Sequence, residues 1–273
     1  MGRTTRAASR IRALILVAAM AAVPLTWGSL ESSARPVAST AGITRGAGPA
    51  LRPGRALAER AAATDRSSHR SQPGSALLVR VTARTPIRSE PGAGRLIGWV
   101  PAVSRYYHAP IVAWVRRTSA DGRYGLLAVP YSAGLRSGWI ALRGMRRTGT
   151  RISVQVDLSR HLLTVMRGAR PVAHFPAATG APSTPTPTGR YFVTDRVPFS
   201  PGSAYGSFAF GISGIQSHLP AGWWGGDQLA IHGTSAPSTI GTSASAGCLR
   251  VSEQALARLR PLLRPGTPVI VRP

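Results

Sequence analysis

The chain has 273 residues, 43% of them hydrophobic, with 34 basic and 9 acidic side chains and a formal net charge of +25. That length has room for two modest domains plus extensions, and the apolar content supports packed cores, which excludes a wholly disordered chain. Every basic residue is arginine, and the arginines are scattered without the aromatic interleaving or helical stripe of a nucleic-acid reader, so no nucleic-acid partner is expected.

The N-terminus reads as an export signal. Arg3, Arg6, Arg10 and Arg12 form a positive start, and the apolar run from Ala13 to Val23 ends at Pro24, too short for a comfortable membrane span. Ser32-Ser33-Ala34 suits cleavage, so residues 1–34 are expected to be a signal peptide, with retention as an N-terminal membrane anchor as the alternative. A secreted or cell-envelope location is the consequence, and so basic a surface suits an anionic envelope. Residues 35–75, rich in Ala, Arg, Ser and Pro, bury too little to offset their ordering entropy and read as a flexible tether, with a short helix around Leu57 to Ala63 the one element to be expected there.

From residue 76 to 148 the pattern is that of a small all-β module, SH3-like in its spacing. Its runs are Leu77 to Val81, Leu96 to Val100, Ile111 to Val115, Tyr124 to Val129 and Gly138 to Leu142, with turns at Glu90 to Gly94, Ser119 to Arg123 and Ser132 to Arg136. Trp99, Trp114 and Trp139 each sit inside a run, where a core role is expected before a ligand platform. The module would bind wall polymer or, by preference, brace and position the second half of the chain.

Residues 149–273 read as a second domain. Ile152, Val154 and Val156 alternate with polar neighbours, and runs at Leu162 to Met166 and Val172 to Phe175 complete a meander. A proline-stiffened loop from Pro182 to Pro187 leads into Thr188-Gly189-Arg190-Tyr191-Phe192. Pro198 to Asp227 looks irregular, with Tyr205, Phe208, Phe210, Trp223 and Trp224 on what would be a flap over a cleft. His218 on that flap, like His161 and His174 on strand-like stretches, reads as solvated or structural. Ser252 and Glu253 open a short helix through Leu259, and Val269 to Val271 make a last strand. No metal site or cofactor is indicated.

The chemistry concentrates between His232 and Arg250. Cys248 is the one cysteine in the sequence, so it forms no internal disulfide, and it stands among small residues in Ser245-Ala246-Gly247-Cys248-Leu249-Arg250. His232 ends the apolar run Leu229-Ala230-Ile231, and Gly233 lets the chain turn away, so a strand, a loop and a return would bring imidazole and thiol together. Gly247 leaves nearby amides unshielded as donors to an oxyanion. Arg250 would hold an anionic substrate group or supply a local positive field.

His232-Gly233-Thr234, the loop glycine Gly241 and Ser245 to Arg250 resemble the signature of the L,D-transpeptidase, or YkuD, family, as do the meander, Thr179-Gly180 and the Thr-Gly-Arg-Tyr-Phe stretch. Ala246 stands where the family usually has a second histidine, which leaves His232 as the base. The resemblance, over about residues 151–273, implies a mainly β protein: a YkuD-type β-sandwich catalytic domain with a short helix, following the SH3-like module. It implies Cys248 as nucleophile and His232 as base, oriented by the Gly233 carbonyl. Gly247, Cys248 and Ser245 would form the oxyanion site, with substrate contacts from Arg250, Thr234, Trp223, Trp224 and Tyr205. The implied reaction is acyl transfer from a peptidoglycan tetrapeptide stem to a second stem, giving a 3→3 cross-link, and carbapenem-type β-lactams would acylate the same thiol. Hydrolysis of the same thioester, or wall binding with little catalysis, are the alternatives.

Overall fold

A computed structural model describes residues 74–132 and 136–273. The expected signal segment, the tether as far as residue 73, and the helix at Leu57 to Ala63 lie outside the described residues, as does part of the turn at Ser132 to Arg136.

The first half holds β1 (Ala76–Arg80), β2 (Thr85–Arg88), β3 (Leu96–Val100), β4 (Val112–Val115), β5 (Arg117–Thr118), β6 (Tyr124–Ala128), β7 (Ser137–Ala141) and β8 (Arg146–Thr150). They form a three-stranded sheet, β4-β1-β8, and a five-stranded one, β3-β2-β7-β6-β5. The five expected runs fall on β1, β3, β4, β6 and β7. The remaining three strands, Thr-Pro-Ile-Arg, Arg-Thr and Arg-Arg-Thr-Gly-Thr, carry almost no apolar alternation; the first adds only Ile87 to the core, and the other two, exposed along nearly all their length, are held by pairing. Among them, β8 pairs with β1 from Thr150 opposite Ala76 to Arg146 opposite Arg80, so this strand crosses the boundary expected at 148/149.

Val79, Ile87, Val100, Ile111, Leu127 and Ile140 make the core of this half. The tryptophans depart from the sequence reading. Trp99 is 39% exposed with the Arg84 guanidinium 4.2 Å above its ring, and Trp139 is half-buried with that of Arg117 at 5.2 Å. Strand alternation explains both: Val100 and Ile140 turn inward, so their neighbours turn out and are covered by cations instead of by core. Trp114 alone of the three packs against the core, from its edge.

The second half continues with β9 (Ile152–Asp157), β10 (Leu162–Arg167), β11 (Arg170–Pro176), β12 (Thr179–Gly180), β13 (Gly189–Phe192), β14 (Val197–Pro198), β15 (Phe208–Ile215), β16 (Gln228–His232), β17 (Ser243–Ser245), β18 (Leu249–Arg250), helix α1 (Glu253–Leu259) and β19 (Pro268–Arg272). The meander β9-β10-β11 is extended by β19, parallel to β9, and then β13, giving the order β11-β10-β9-β19-β13. A second sheet runs β14-β15-β16-β18, and β12 pairs with β17. Val154, Val156, Leu163 and Val165 of the first sheet meet Phe210, Ile212, Leu229, Ile231 and Leu249 of the second, and Ala255, Leu256 and Leu259 of α1 close the core. The helix starts where expected, with the Ser252 hydroxyl accepting the Ala255 amide at 3.1 Å. The protein is thus mainly β, a sandwich with one short α-helix among the described residues.

Two features position the site. Phe208 to Ile215, expected to be irregular flap, is a buried strand. Phe208, Phe210 and Ile212 enter the core, while Ala209, Gly211 and Ser213 face the other way, so the sequence alternates in side-chain size rather than in polarity. The small residues are required: a Cβ on Gly211 would lie 2.7 Å from Gln228 Nε2 and 2.9 Å from Asp195 Oδ2. The second feature is β13, where Tyr191 belongs to the second core and its neighbour Phe192, fully buried, to the first. One strand therefore supplies side chains to both cores.

Candidate active site

β16 presents Leu229 and Ile231 to the core, so Gln228, Ala230 and His232 face outward into a cleft of about 650 Å³. β18 lies parallel to β16, with Leu249 opposite Ile231 and Arg250 opposite His232. Directly paired residues share a face, and Cys248 precedes Arg250 by two, so Cys248, Arg250, Ala230 and His232 all look into the cleft, which they line. A two-residue offset at about 3.3 Å per residue between strands about 4.8 Å apart separates the Cys248 and His232 Cα atoms by about 8 Å, a span that a thiol and an imidazole can close. Ala209 opposite His232 and Gly211 opposite Ala230 keep the neighbouring floor shallow, which leaves room for a substrate.

The turn carrying the thiol is held from three sides. The Ser245 hydroxyl accepts the Gly247 amide at 3.0 Å and donates to the Cys248 carbonyl at 2.6 Å. Thr184 and Thr186, in the proline-rich loop, each donate at 2.9 Å, to the carbonyls of Ser245 and Gly247 respectively, and Thr186 also accepts the Gly180 amide at 2.8 Å. The buried Gln216 side chain donates to the carbonyls of Pro185 at 2.9 Å, Thr184 at 3.2 Å and Ala246 at 3.3 Å, joining loop to turn. Gly247 has φ of +113°, and a Cβ there would overlap the Gln216 amide nitrogen. These bonds correct one expectation: the Gly247 amide is already taken by Ser245 and does not point free into an oxyanion site.

His232 is 4% exposed, and its Nδ1 lies 2.5 Å from the Gly233 carbonyl. A carbonyl can only accept, so Nδ1 carries the proton and Nε2 is left as the acceptor. The Tyr205 ring meets the imidazole edge-on at 5.0 Å and in turn stacks on Phe199 at 5.0 Å. Burial above all, with the Gly233 bond opposing it and the Arg250 charge adding to it, brings the imidazole pKa down to about 4. Although Cys248 as a residue is only half-buried, its thiol lies at the cleft floor, where burial raises its pKa against the opposing Ala230 backbone bond and Arg250 charge. The pair is therefore neutral thiol and neutral imidazole, not an ion pair.

Of the other expected site residues, Tyr205, Trp223, Trp224, Ser245 and Arg250 line the cleft, Trp224 being 96% exposed at its rim. Thr234 does not reach the cleft; its hydroxyl accepts the Ala236 amide at 3.0 Å and shapes the turn after His232. His161 and His174 bond Thr179 and Thr164, each at 3.1 Å, and His218 is exposed beside Ser217. Sequence reasoning missed Thr184, Thr186 and Gln216, whose partners lie some 30 to 61 positions away. It also missed Glu253 as more than a helix start: its carboxylate accepts the Ser207 amide at 3.0 Å and hydroxyl at 2.5 Å, packed where a Cβ on Gly206 or Gly233 would stand.

Residues 151–271 match the model of the L,D-transpeptidase catalytic domain, YkuD. The YkuD protein of Bacillus licheniformis is 30% identical over 135 residues, 49% of this chain and 74% of that relative. Its counterpart in Bacillus subtilis strain 168 is 28% identical over 118 residues, 43% of this chain and 64% of the relative, so the chain spans under two thirds of the latter. An L,D-transpeptidase structure from Mycobacterium smegmatis is 18% identical, with a TM-score of 0.38 over 69% of this chain and 99% of that one.

Proposed function

We infer that this chain, which belongs to the YkuD family of L,D-transpeptidase catalytic domains, is an exported enzyme that cross-links peptidoglycan stems through a thioester on Cys248. The observation that carries this reading is the β16–β18 register, which sets Cys248, His232 and Arg250 on one face at the floor of the cleft.

The neutral resting pair dictates the order of proton movements. As Sγ attacks the carbonyl on the C-terminal side of the third stem residue, Nε2 of His232 takes the thiol proton, because burial disfavours both a free thiolate and a free imidazolium. The carbonyl electrons move to oxygen, where the Cys248 amide is the backbone donor left after Ser245 has engaged that of Gly247. Collapse breaks the bond to D-alanine, whose amine leaves with the proton from Nε2, and the thioester remains. The amine of a second stem then attacks the thioester, gives its proton to His232, and releases Cys248 with a 3→3 cross-link formed. Gly233 keeps the base in the right tautomer throughout. Arg250 supports both halves by favouring the ionised sulfur and by attracting an anionic group of the stem.

Hydrolysis of the same thioester is favoured by one observation. Ala246, which lines the cleft beside Cys248, puts a methyl where the family usually has an imidazole and leaves space for water. Purified full-length protein and its Cys248→Ala variant, incubated with tetrapeptide muropeptides, separate the readings by product mass. A cross-linked dimer lacking one D-alanine, formed only by the wild type, supports transfer; released D-alanine without dimer supports hydrolysis. No turnover, together with no covalent carbapenem adduct on the wild type, refutes thioester chemistry altogether.

A further inference from the structure

The segment from Ser104 to Ala109 belongs to the first half of the chain, yet it enters the catalytic cleft. Its ends are tied together, the Ser104 hydroxyl accepting the Ala109 amide at 3.0 Å and the Ser104 amide donating to the Ala109 carbonyl at 2.7 Å. The same hydroxyl donates to the Asp195 carboxylate, which is fully buried and also receives Thr194 Oγ1 at 2.7 Å and Gln228 Nε2 at 3.0 Å. Gln228 opens β16, the strand that carries His232.

A second tie lies one residue on. Arg105 donates through Nη1 to both carboxylate oxygens of Asp227, at 3.1 and 3.0 Å, and the Tyr106 hydroxyl donates to Asp227 Oδ1 at 2.6 Å. Asp227 is the residue just before β16 and ends the segment that bears Trp223 and Trp224. The loop is thus anchored at a buried carboxylate that would be costly to leave short of donors, and again at the root of the flap.

The loop brings two phenol rings to the cleft, Tyr106, tied to Asp227 by its hydroxyl, and Tyr107 beside it, each about half exposed and each lining the cleft together with Tyr205. Tyr107 is close enough to Tyr205, and Tyr205 to Cys248, for their charges to add to the burial that raises the Tyr205 pKa. Exposed aromatic faces on a rigid, bonded loop bind with little further loss of conformational freedom.

We propose that Tyr107 is a specificity-determining contact for the stem peptide, that Arg105 and Asp227 are its positioning residues, and that the N-terminal β unit supplies one wall of the catalytic cleft. This rests on the acyl-transfer reading above. An extended stem would lie between the phenols and the Tyr205 side, its aliphatic parts against the ring faces, and the unit would act on recognition as well as bracing.

Steady-state kinetics of the full chain on a tetrapeptide muropeptide test it. Removing one ring face from a bound peptide is worth about a factor of ten, so Tyr107→Ala should raise KM about tenfold with kcat changed less than threefold, and Tyr107→Phe, which keeps the face, should recover most of the loss. Arg105→Ala removes the ion pair with Asp227, leaving the Tyr106 hydroxyl as the loop's remaining tie to that carboxylate, without touching Tyr107, and should raise KM in the same direction; it decides the matter should Tyr107→Ala fail to fold. Unchanged KM in both variants, or a fall in kcat alone, overturns the proposal while a working wild type keeps the acyl-transfer reading. A wild type that neither turns over nor takes a carbapenem refutes that reading instead.

Discussion

Protonating His232 should destabilise the folded protein by a calculable amount. The imidazole sits at about 4 in the folded chain against 6.5 when exposed, with burial as the main cause. The unfolded chain therefore takes up a proton first as pH falls, so the stability contributed by the neutral buried ring is complete above pH 6.5 and is lost as pH drops toward 4. At about 1.4 kcal/mol per pH unit the full loss is about 3 kcal/mol, and at pH 5 about 2 kcal/mol is already gone. Urea denaturation of the wild type and of His232→Gln at pH 8, 6 and 5 isolates this group, because the other histidines titrate in both proteins. The stability difference, wild type minus variant, should fall by about 2 kcal/mol between pH 8 and pH 5. A difference that stays flat, or an imidazole titrating near 6.5 by NMR, would refute the buried neutral base and with it the proton order proposed for catalysis.

Two further outcomes are set by packing. Gly247→Ala places a side chain at φ +113° where the Gln216 amide now bonds three carbonyls; backbone strain and lost bonds together should cost about 3 kcal/mol by chemical denaturation, and carbapenem acylation of Cys248 should slow at least tenfold as the turn shifts. Phe192→Ala empties a fully buried site in the first core from a strand of the second, so a loss of about 3–5 kcal/mol should appear in a single cooperative unfolding transition; two separated transitions would show that the halves do not share stability through β13.

Local signals account for much of what was legible in the sequence. Alternation over residues 152–156 defines β9, the apolar run before His232 defines β16, and the Ser252 cap defines the start of α1, because each depends on neighbours a few positions apart. That His232 and Cys248 line one cleft was legible for a similar reason: a strand, a turn at Gly233 and a return with small residues leave few places for the sulfur to go. Phe208 to Ile215 misled because its alternation is of size, with glycines set by the approach of Tyr191 and Asp195 rather than by a loop. Trp99 misled because a strand run shows which residues are apolar but not which of its two faces the core will occupy.

The residues alone determined the strands whose polarity alternates, the helix cap, and the choice of Cys248 and His232 as candidate nucleophile and base, since propensity, periodicity and short-range turns act along the chain. Tertiary structure decided which amides are spent, which threonines splint the thiol turn, how far burial neutralises the base, and that Tyr106 and Tyr107 reach the cleft from another core. Those depend on partners up to 122 positions apart, and desolvation belongs to a place in space that no stretch of sequence contains.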